Sequence, residues 1–81
     1  MDITIYTKRG CPWCDGARTF LKESKVEFKE KEVLGNSKYF DELREVSGQD
    51  KAPTMVIDGE VLADTDADEI EASLRQKGII S

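Results

Sequence analysis

The chain has 81 residues, 38% of them hydrophobic and 36% charged, which is enough for one small domain and no more. A net charge of −5 argues against a nucleic-acid partner, whose phosphates demand clustered Lys and Arg. Histidine is absent, which removes the commonest general base, the usual catalytic triads and most transition-metal sites.

A domain this small buries about two-thirds of its unfolded surface, so a bulky cofactor enclosed in the core is not expected. No apolar run approaches a membrane span. The opening Met-Asp-Ile-Thr-Ile-Tyr carries neither a basic leader nor a long apolar stretch, and the expected location is the cytoplasm. With two cysteines and no histidine, a four-coordinate zinc would need carboxylates or a second chain to complete it. No metal site is expected, and the chemistry must run on thiols, carboxylates, Lys, Arg or backbone groups.

In chain order, Ile3 to Tyr6 reads as a short strand, and Lys8-Arg9-Gly10 as the turn that leads to Cys11 and Pro12. A helix follows, with Ala17, Phe20 and Leu21 at helical spacing and Ser24-Lys25 at its end. Val26 and Phe28 alternate with charged residues, which predicts a second strand with one solvated face. Ser37 is read as the N-cap of a second helix carrying Phe40, Leu43 and Val46, stopped by Gly48. Thr54 to Ile57 and Glu60 to Leu62 flank Asp58-Gly59, the signal for a two-residue type I′ hairpin. Asp66, Asp68 and Glu69 open a third helix at the positive end of its dipole; Arg75 and Lys77 close it, with Gly78 as the cap. The order β-α-β-α-β-β-α predicts an α/β fold: a small four-stranded mixed sheet flanked by three helices, its first crossover parallel and right-handed. Tyr6, Phe20, Phe28, Phe40 and Leu43 are read as core.

Cys11-Pro12-Trp13-Cys14 falls where the first strand hands over to the first helix. Proline suits the first helical position and pushes the residue before it out of helical geometry. Cys11 is therefore the N-cap, its sulfur standing where a Ser or Asp oxygen would accept the free N–H groups. Lys8 and Arg9 add positive charge nearby, and together these features favour thiolate over thiol. Cys14, three positions on, shares the face of Cys11 one turn deeper, so the pair can close a disulfide with little backbone movement. An exposed thiolate and a recessed partner suit thiol–disulfide exchange, with Cys11 attacking and Cys14 resolving. Half of a zinc site would look the same, but no second pair of cysteines or histidines exists to complete it. Trp13, between the two cysteines, is expected to be exposed and to touch substrate rather than to fill the core.

Tyr6-Thr7-Lys8-Arg9-Gly10-Cys11-Pro12-Trp13-Cys14 resembles the active-site segment of the glutaredoxin family, which usually has Tyr where Trp13 stands. Ser47-Gly48 followed by Ala52-Pro53 is similar to the stretch ending in that family's Thr-Val-Pro motif. Val56-Ile57-Asp58-Gly59 matches the strand and turn beyond it, and Ile70 to Leu74 the last helix. The resemblance covers nearly all of residues 1–81 and implies a single domain of thioredoxin-like fold that reduces disulfides with glutathione as co-substrate and no tightly bound cofactor. It implies a cis peptide before Pro53, facing the cysteines. It also implies that Lys8 and Trp13 flank bound glutathione, that the backbone of Ala52 pairs with the tripeptide beside Pro53, and that the start of the last helix, at Thr65 and Asp66, receives its glutamyl carboxylate. The expected partners are glutathione and disulfide-containing proteins, and the expected state is a monomer.

One departure bears on that site. Where the family usually has Gly-Gly before the last helix, this chain has Ala63-Asp64, and from Asp58 to Glu71 there are acids and no bases. Helix capping and solvation account for these acids, yet the charge opposes tight binding of an anion there. A variant reading keeps the dithiol chemistry but draws electrons from a flavoprotein thioredoxin reductase. A different class of function, an iron–sulfur carrier in which two chains each supply Cys11 beside glutathione, ranks lower. Cluster carriers in the resembling family usually have Gly where this chain has Pro12.

Overall fold

The structure is a computed structural model that describes residues 2–80. Ile3–Thr7 forms β1, whose β-branched and aromatic residues suit a strand buried on both faces. It lies inside a four-stranded sheet of order β2-β1-β3-β4, with β2 at Lys29–Glu32, β3 at Thr54–Ile57 and β4 at Glu60–Leu62. β1 runs parallel to β2, with Ile5 opposite Glu30, and antiparallel to β3, with Ile5 opposite Met55; β3 and β4 are antiparallel. The helices are α1 (Pro12–Glu23), α2 (Ser37–Ser47) and α3 (Ala67–Gln76).

Strand alternation sorts the core into two layers. Ile3, Ile5, Met55 and Ile57 point to one face of the sheet and pack with Ala17 and Leu21 of α1 and Ile70 and Leu74 of α3. Tyr6 points to the other face and packs with Val33 and Leu43, so α2 covers that side. Phe20 and Phe28 flank the first cluster and Phe40 the second, each half-buried rather than fully enclosed. Burying one Leu or Ile side chain contributes roughly 1.5–3 kcal/mol, so these few residues hold the sheet between its helices. The architecture is the expected thioredoxin-like fold. No helix among the described residues is long and apolar enough to cross a membrane.

Two boundaries differ from the sequence reading. The second strand is Lys-Glu-Lys-Glu, residues 29–32, and Val26 and Phe28 precede it. The cause is the end of α1, where Lys25 takes a left-handed φ of 58°. The Lys25 N–H then donates to Lys22 O and the Val26 N–H to Leu21 O, the Schellman pattern. Val26 is thereby turned onto Leu21 and serves as the apolar contact of the cap rather than as a strand residue. The N-cap of α2 is Asn36, not Ser37: its side chain accepts from the Lys38 and Tyr39 N–H groups at 3.0 and 3.2 Å. The hairpin follows the expectation, with Asp58 at φ 48° and Gly59 at φ 89°, the positive values that a type I′ turn needs.

Candidate active site at the start of the first helix

Cys11 sits at the end of the turn after β1 with an extended backbone, φ −96° and ψ 111°. Pro12 begins α1 behind it, as the sequence implied. The Cys14 N–H donates to Cys11 Sγ at 3.3 Å, so the sulfur is the helix cap. A donor at a helix start stabilises negative charge on that sulfur through both the hydrogen bond and the dipole. Cys11 is half-buried and Cys14 wholly buried, and both are free thiols. One thiol therefore meets solvent while its partner waits one turn deeper.

Burial pushes the Cys14 thiol from 9.0 up to about 12, and its hydrogen bond to Cys11 and the charge there act in the same direction. The Lys8 backbone N–H and the charge of Arg18 oppose that rise. Arg18, one turn after Cys14, is fixed by Asp15 at 2.7 Å and by Glu30 of β2 at 2.6 Å. Glu30 also accepts from the Thr7 hydroxyl at 2.8 Å. Beside the Arg18 guanidinium its carboxyl is held below the usual carboxylate range. In the sequence, the one mark that Arg18 carries is its spacing of four from Cys14.

The positive charge expected around Cys11 is only partly present. Arg9 is tied to Glu32 at 2.7 Å, and its charge is offset there. Lys8 has no carboxylate partner among the described residues; its ammonium lies 5.6 Å from the centre of the Phe40 ring.

Trp13 is 69% exposed, as expected of a residue outside the core. The Ala52–Pro53 peptide is cis, as the resemblance implied. Trp13, Ala52, Pro53, Thr65 and Asp66, with Asp64, line a single cavity of about 170 Å³. The structure thus brings Trp13, Ala52, Pro53, Thr65 and Asp66 into one lining, while the Lys8 ammonium, three residues before Cys11, lies over the Phe40 ring. Ala52 makes no hydrogen bond within the described chain, so its amide and carbonyl stay free to pair. The Thr65 N–H donates to Pro53 O at 2.7 Å and the Asp64 N–H to Thr54 Oγ1 at 3.3 Å, which fixes the loop before α3 against β3. Asp66 caps α3 through Oδ1, which accepts the Glu69 N–H at 2.8 Å. Asp64 holds a left-handed φ of 50°, a conformation that glycine adopts freely and Asp tolerates better than most. A second cavity, of about 360 Å³, opens on Pro12, Trp13, Gly16, Asp66, Ala67 and Asp68; nothing in the sequence pattern announced it.

A mixed four-stranded sheet between helices, with a Cys-x-x-Cys pair at the start of the first helix, defines a redox protein of the thioredoxin-like class. A crystal structure of the thioredoxin-like protein BC3987 superposes with a TM-score of 0.81 at 31% identity, covering 88% of this chain and 97% of that one. The family model that matches, over residues 3–62, is Glutaredoxin, and the chain belongs to the glutaredoxin family. Among its relatives is a glutaredoxin-like 8.6 kDa protein of the rubredoxin operon of Clostridium pasteurianum, 32% identical over 69 residues, which are 85% of this chain and 92% of that protein. Glutaredoxin 3 of Escherichia coli K12 is 32% identical over 65 residues, 80% of this chain and 78% of that one.

Proposed function

We propose that this chain is a thiol–disulfide oxidoreductase that reduces protein disulfides and glutathione mixed disulfides through Cys11 and Cys14, with glutathione as the electron donor. The observation that carries the reading is the cap: half-buried Cys11, whose sulfur accepts the Cys14 N–H, beside a wholly buried Cys14. It works in the cytoplasm as a monomer, without a tightly bound cofactor.

The Cys11 thiolate attacks one sulfur of the substrate disulfide, forming a mixed disulfide and expelling the other sulfur as a thiolate. That step removes the negative charge of Cys11, and with it two of the causes that hold the Cys14 proton. The Lys8 N–H and Arg18 remain, and the proton passes through solvent to the expelled thiolate. The Cys14 thiolate then attacks Cys11 Sγ, closes the Cys11–Cys14 disulfide and releases the second substrate thiolate. The substrate has gained two electrons and the dithiol has lost two. Two glutathione molecules restore the dithiol and leave as glutathione disulfide.

The same dithiol fed by a flavoprotein reductase is a second reading. It is favoured by Asp64 and Asp66, two carboxylates in the lining of the cavity that would take the glutathione carboxylate. A coupled assay separates the two. Turnover of a disulfide substrate with glutathione and glutathione reductase supports the first, and turnover only with thioredoxin reductase supports the second. Turnover with neither, by a protein whose two thiols titrate as free, refutes both.

A further inference from the structure

Trp13 stands between two cavities and lines both of them. The smaller is the one assigned above to glutathione. The larger, of about 360 Å³, lies between the starts of α1 and α3, and its lining divides by chemistry. Pro12, the indole of Trp13, Gly16 and Ala67 are apolar, whereas Asp66 and Asp68 are carboxylates. At Gly16 an added Cβ would meet nothing within 4 Å, so the missing side chain leaves room on that wall.

No side-chain cation among the described residues pairs with the two carboxylates that line this opening, in contrast to acids nearby in sequence. Glu60 is paired with Lys77 at 3.2 Å and Glu71 with Arg75 at 2.6 Å. Asp64, Asp66 and Asp68 have no cationic partner among the described residues. Asp66 Oδ1 takes one backbone N–H at the start of α3, which leaves its charge uncompensated by any cation. An apolar lining with unpaired carboxylates beside it complements one kind of side chain, a long aliphatic stem ending in a cation. The exposed indole suits the same group, since Arg and Lys are attracted to the face of a Trp ring.

We propose that this second cavity receives an arginine or lysine side chain of a disulfide-bearing polypeptide, next to the cysteine whose sulfur Cys11 attacks. The inference rests on the reductase reading and adds a substrate class to it: basic peptide segments rather than acidic ones. The stem lies against Pro12, Ala67 and the indole, and the cationic head meets Asp66 and Asp68. Glutathione would use the smaller cavity on the other side of Trp13, beside Ala52 and Pro53. The exchange steps are unchanged, and the subsite acts on substrate affinity alone.

The test uses three synthetic peptides, each with one cysteine in mixed disulfide with 2-mercaptoethanol and flanked by Arg, norleucine or Glu. With the reduced protein at low salt, kcat/KM should fall in the order Arg, norleucine, Glu, with about tenfold between the extremes, the scale of a few solvated charge and ring contacts. The ratio should shrink towards one at about 0.5 M salt, where screening reaches only a few ångströms. Asp68→Asn should lower the Arg-over-norleucine preference about threefold, and Glu45→Gln, on α2 away from the cavity, should leave it unchanged. An Arg-to-Glu ratio near one, a preference for norleucine over both charged peptides, or a preference that survives Asp68→Asn intact would overturn the subsite. Wild-type turnover of bis(2-hydroxyethyl) disulfide reads the reductase assignment separately. Reduction of this neutral disulfide without peptide discrimination overturns the subsite alone, and no reduction of any disulfide overturns both.

Discussion

The starts of α1 and α3 share one cap geometry. In each, an extended residue precedes the helix and its side chain accepts the N–H three positions on: Cys11 Sγ from Cys14 at 3.3 Å, and Asp66 Oδ1 from Glu69 at 2.8 Å. At α3 a permanent carboxylate satisfies the helix end, and Asp68 and Glu69 add charge in the first turn. At α1 the cap is a sulfur, a weaker acceptor that can gain, share or lose its charge as bonds to it form and break. The same backbone device therefore stabilises a reactive anion at one helix and, at the other, is already occupied by a fixed charge. In this chain the helix N-terminus is reactive where its cap is a labile sulfur and inert where the cap is a fixed carboxylate.

The two caps differ most in what a loss of the sulfur does. Cys11→Ser keeps a good cap, since Ser ranks among the best N-cap residues, and should abolish disulfide turnover because a hydroxyl is not an activated nucleophile here. Cys14→Ser should keep part of the activity on glutathione mixed disulfides, where free glutathione can resolve the intermediate. Iodoacetamide labelling followed by peptide mass mapping checks the roles. Cys11 should alkylate first in the native protein, and faster alkylation of Cys14 would reverse the assignment.

Next in size is an alkaline loss of stability. The folded-state pKa of Cys14 lies above its unfolded value, so the neutral thiol favours the fold. That contribution is complete below the unfolded value near 9 and is lost as pH rises towards about 12. Tyr6 behaves alike, its phenol raised by burial and by Glu42. Urea midpoints of the reduced protein should therefore fall as pH rises from 8 to 11, and Cys14→Ala should flatten that slope while lowering stability at pH 8. An unchanged slope in Cys14→Ala would show that the buried thiol is not what titrates.

Asp66→Ala should cost about 1 kcal/mol in urea unfolding, the usual loss on removing an N-cap carboxylate. Its cap bond to Glu69 is the only described one that the substitution removes at the α3 start, so the loss should appear as weaker amide-exchange protection confined to α3. A uniform loss across the sheet would mean that Asp66 also supports the core.

Much of this site was readable in the chain. Pro12 behind Cys11 set the cap of α1, Asp58-Gly59 set the hairpin, and the acids from Asp66 set the start of α3, because each rests on a local rule. What stayed hidden depends on contacts between distant segments. Val26 read as a strand residue because alternation cannot reveal that a left-handed Lys25 folds it back onto Leu21. Asn36 was overlooked beside Ser37 because both are good caps and only the backbone decides between them. Arg9 read as free charge because Glu32 lies a strand away. The cavity between α1 and α3 needs both helix starts at once, and the contact of Lys8 with the Phe40 ring joins β1's end to α2.

The smallest expected effect lies at Asp64, and it separates charge from backbone at the anionic helix start. Asp64 lines the small cavity beside Trp13 and Pro53 and holds φ 50°. Its carboxylate opposes a bound anion by roughly 1 kcal/mol at about 4 Å in water, and by more near protein. Its left-handed backbone is a second handicap, one that glycine removes. Asp64→Asn removes the charge while keeping the shape and the tolerance of Asx residues for that conformation. If charge governs, Asn and Gly should both lower the KM for glutathione, by a few-fold at low salt, and the gain should fade at higher ionic strength, as screening over about 8 Å at 0.15 M requires. If backbone freedom governs, Gly should stabilise the fold and improve KM with no salt dependence, while Asn matches the wild type. We expect the first pattern, because Asp66 and Asp68 keep the same face unneutralised and each charge removed there lowers the repulsion on an incoming carboxylate. Identical KM values for wild type, Asn and Gly would place Asp64 outside the reach of glutathione and leave Asp66 as the only acid in that cavity to oppose it.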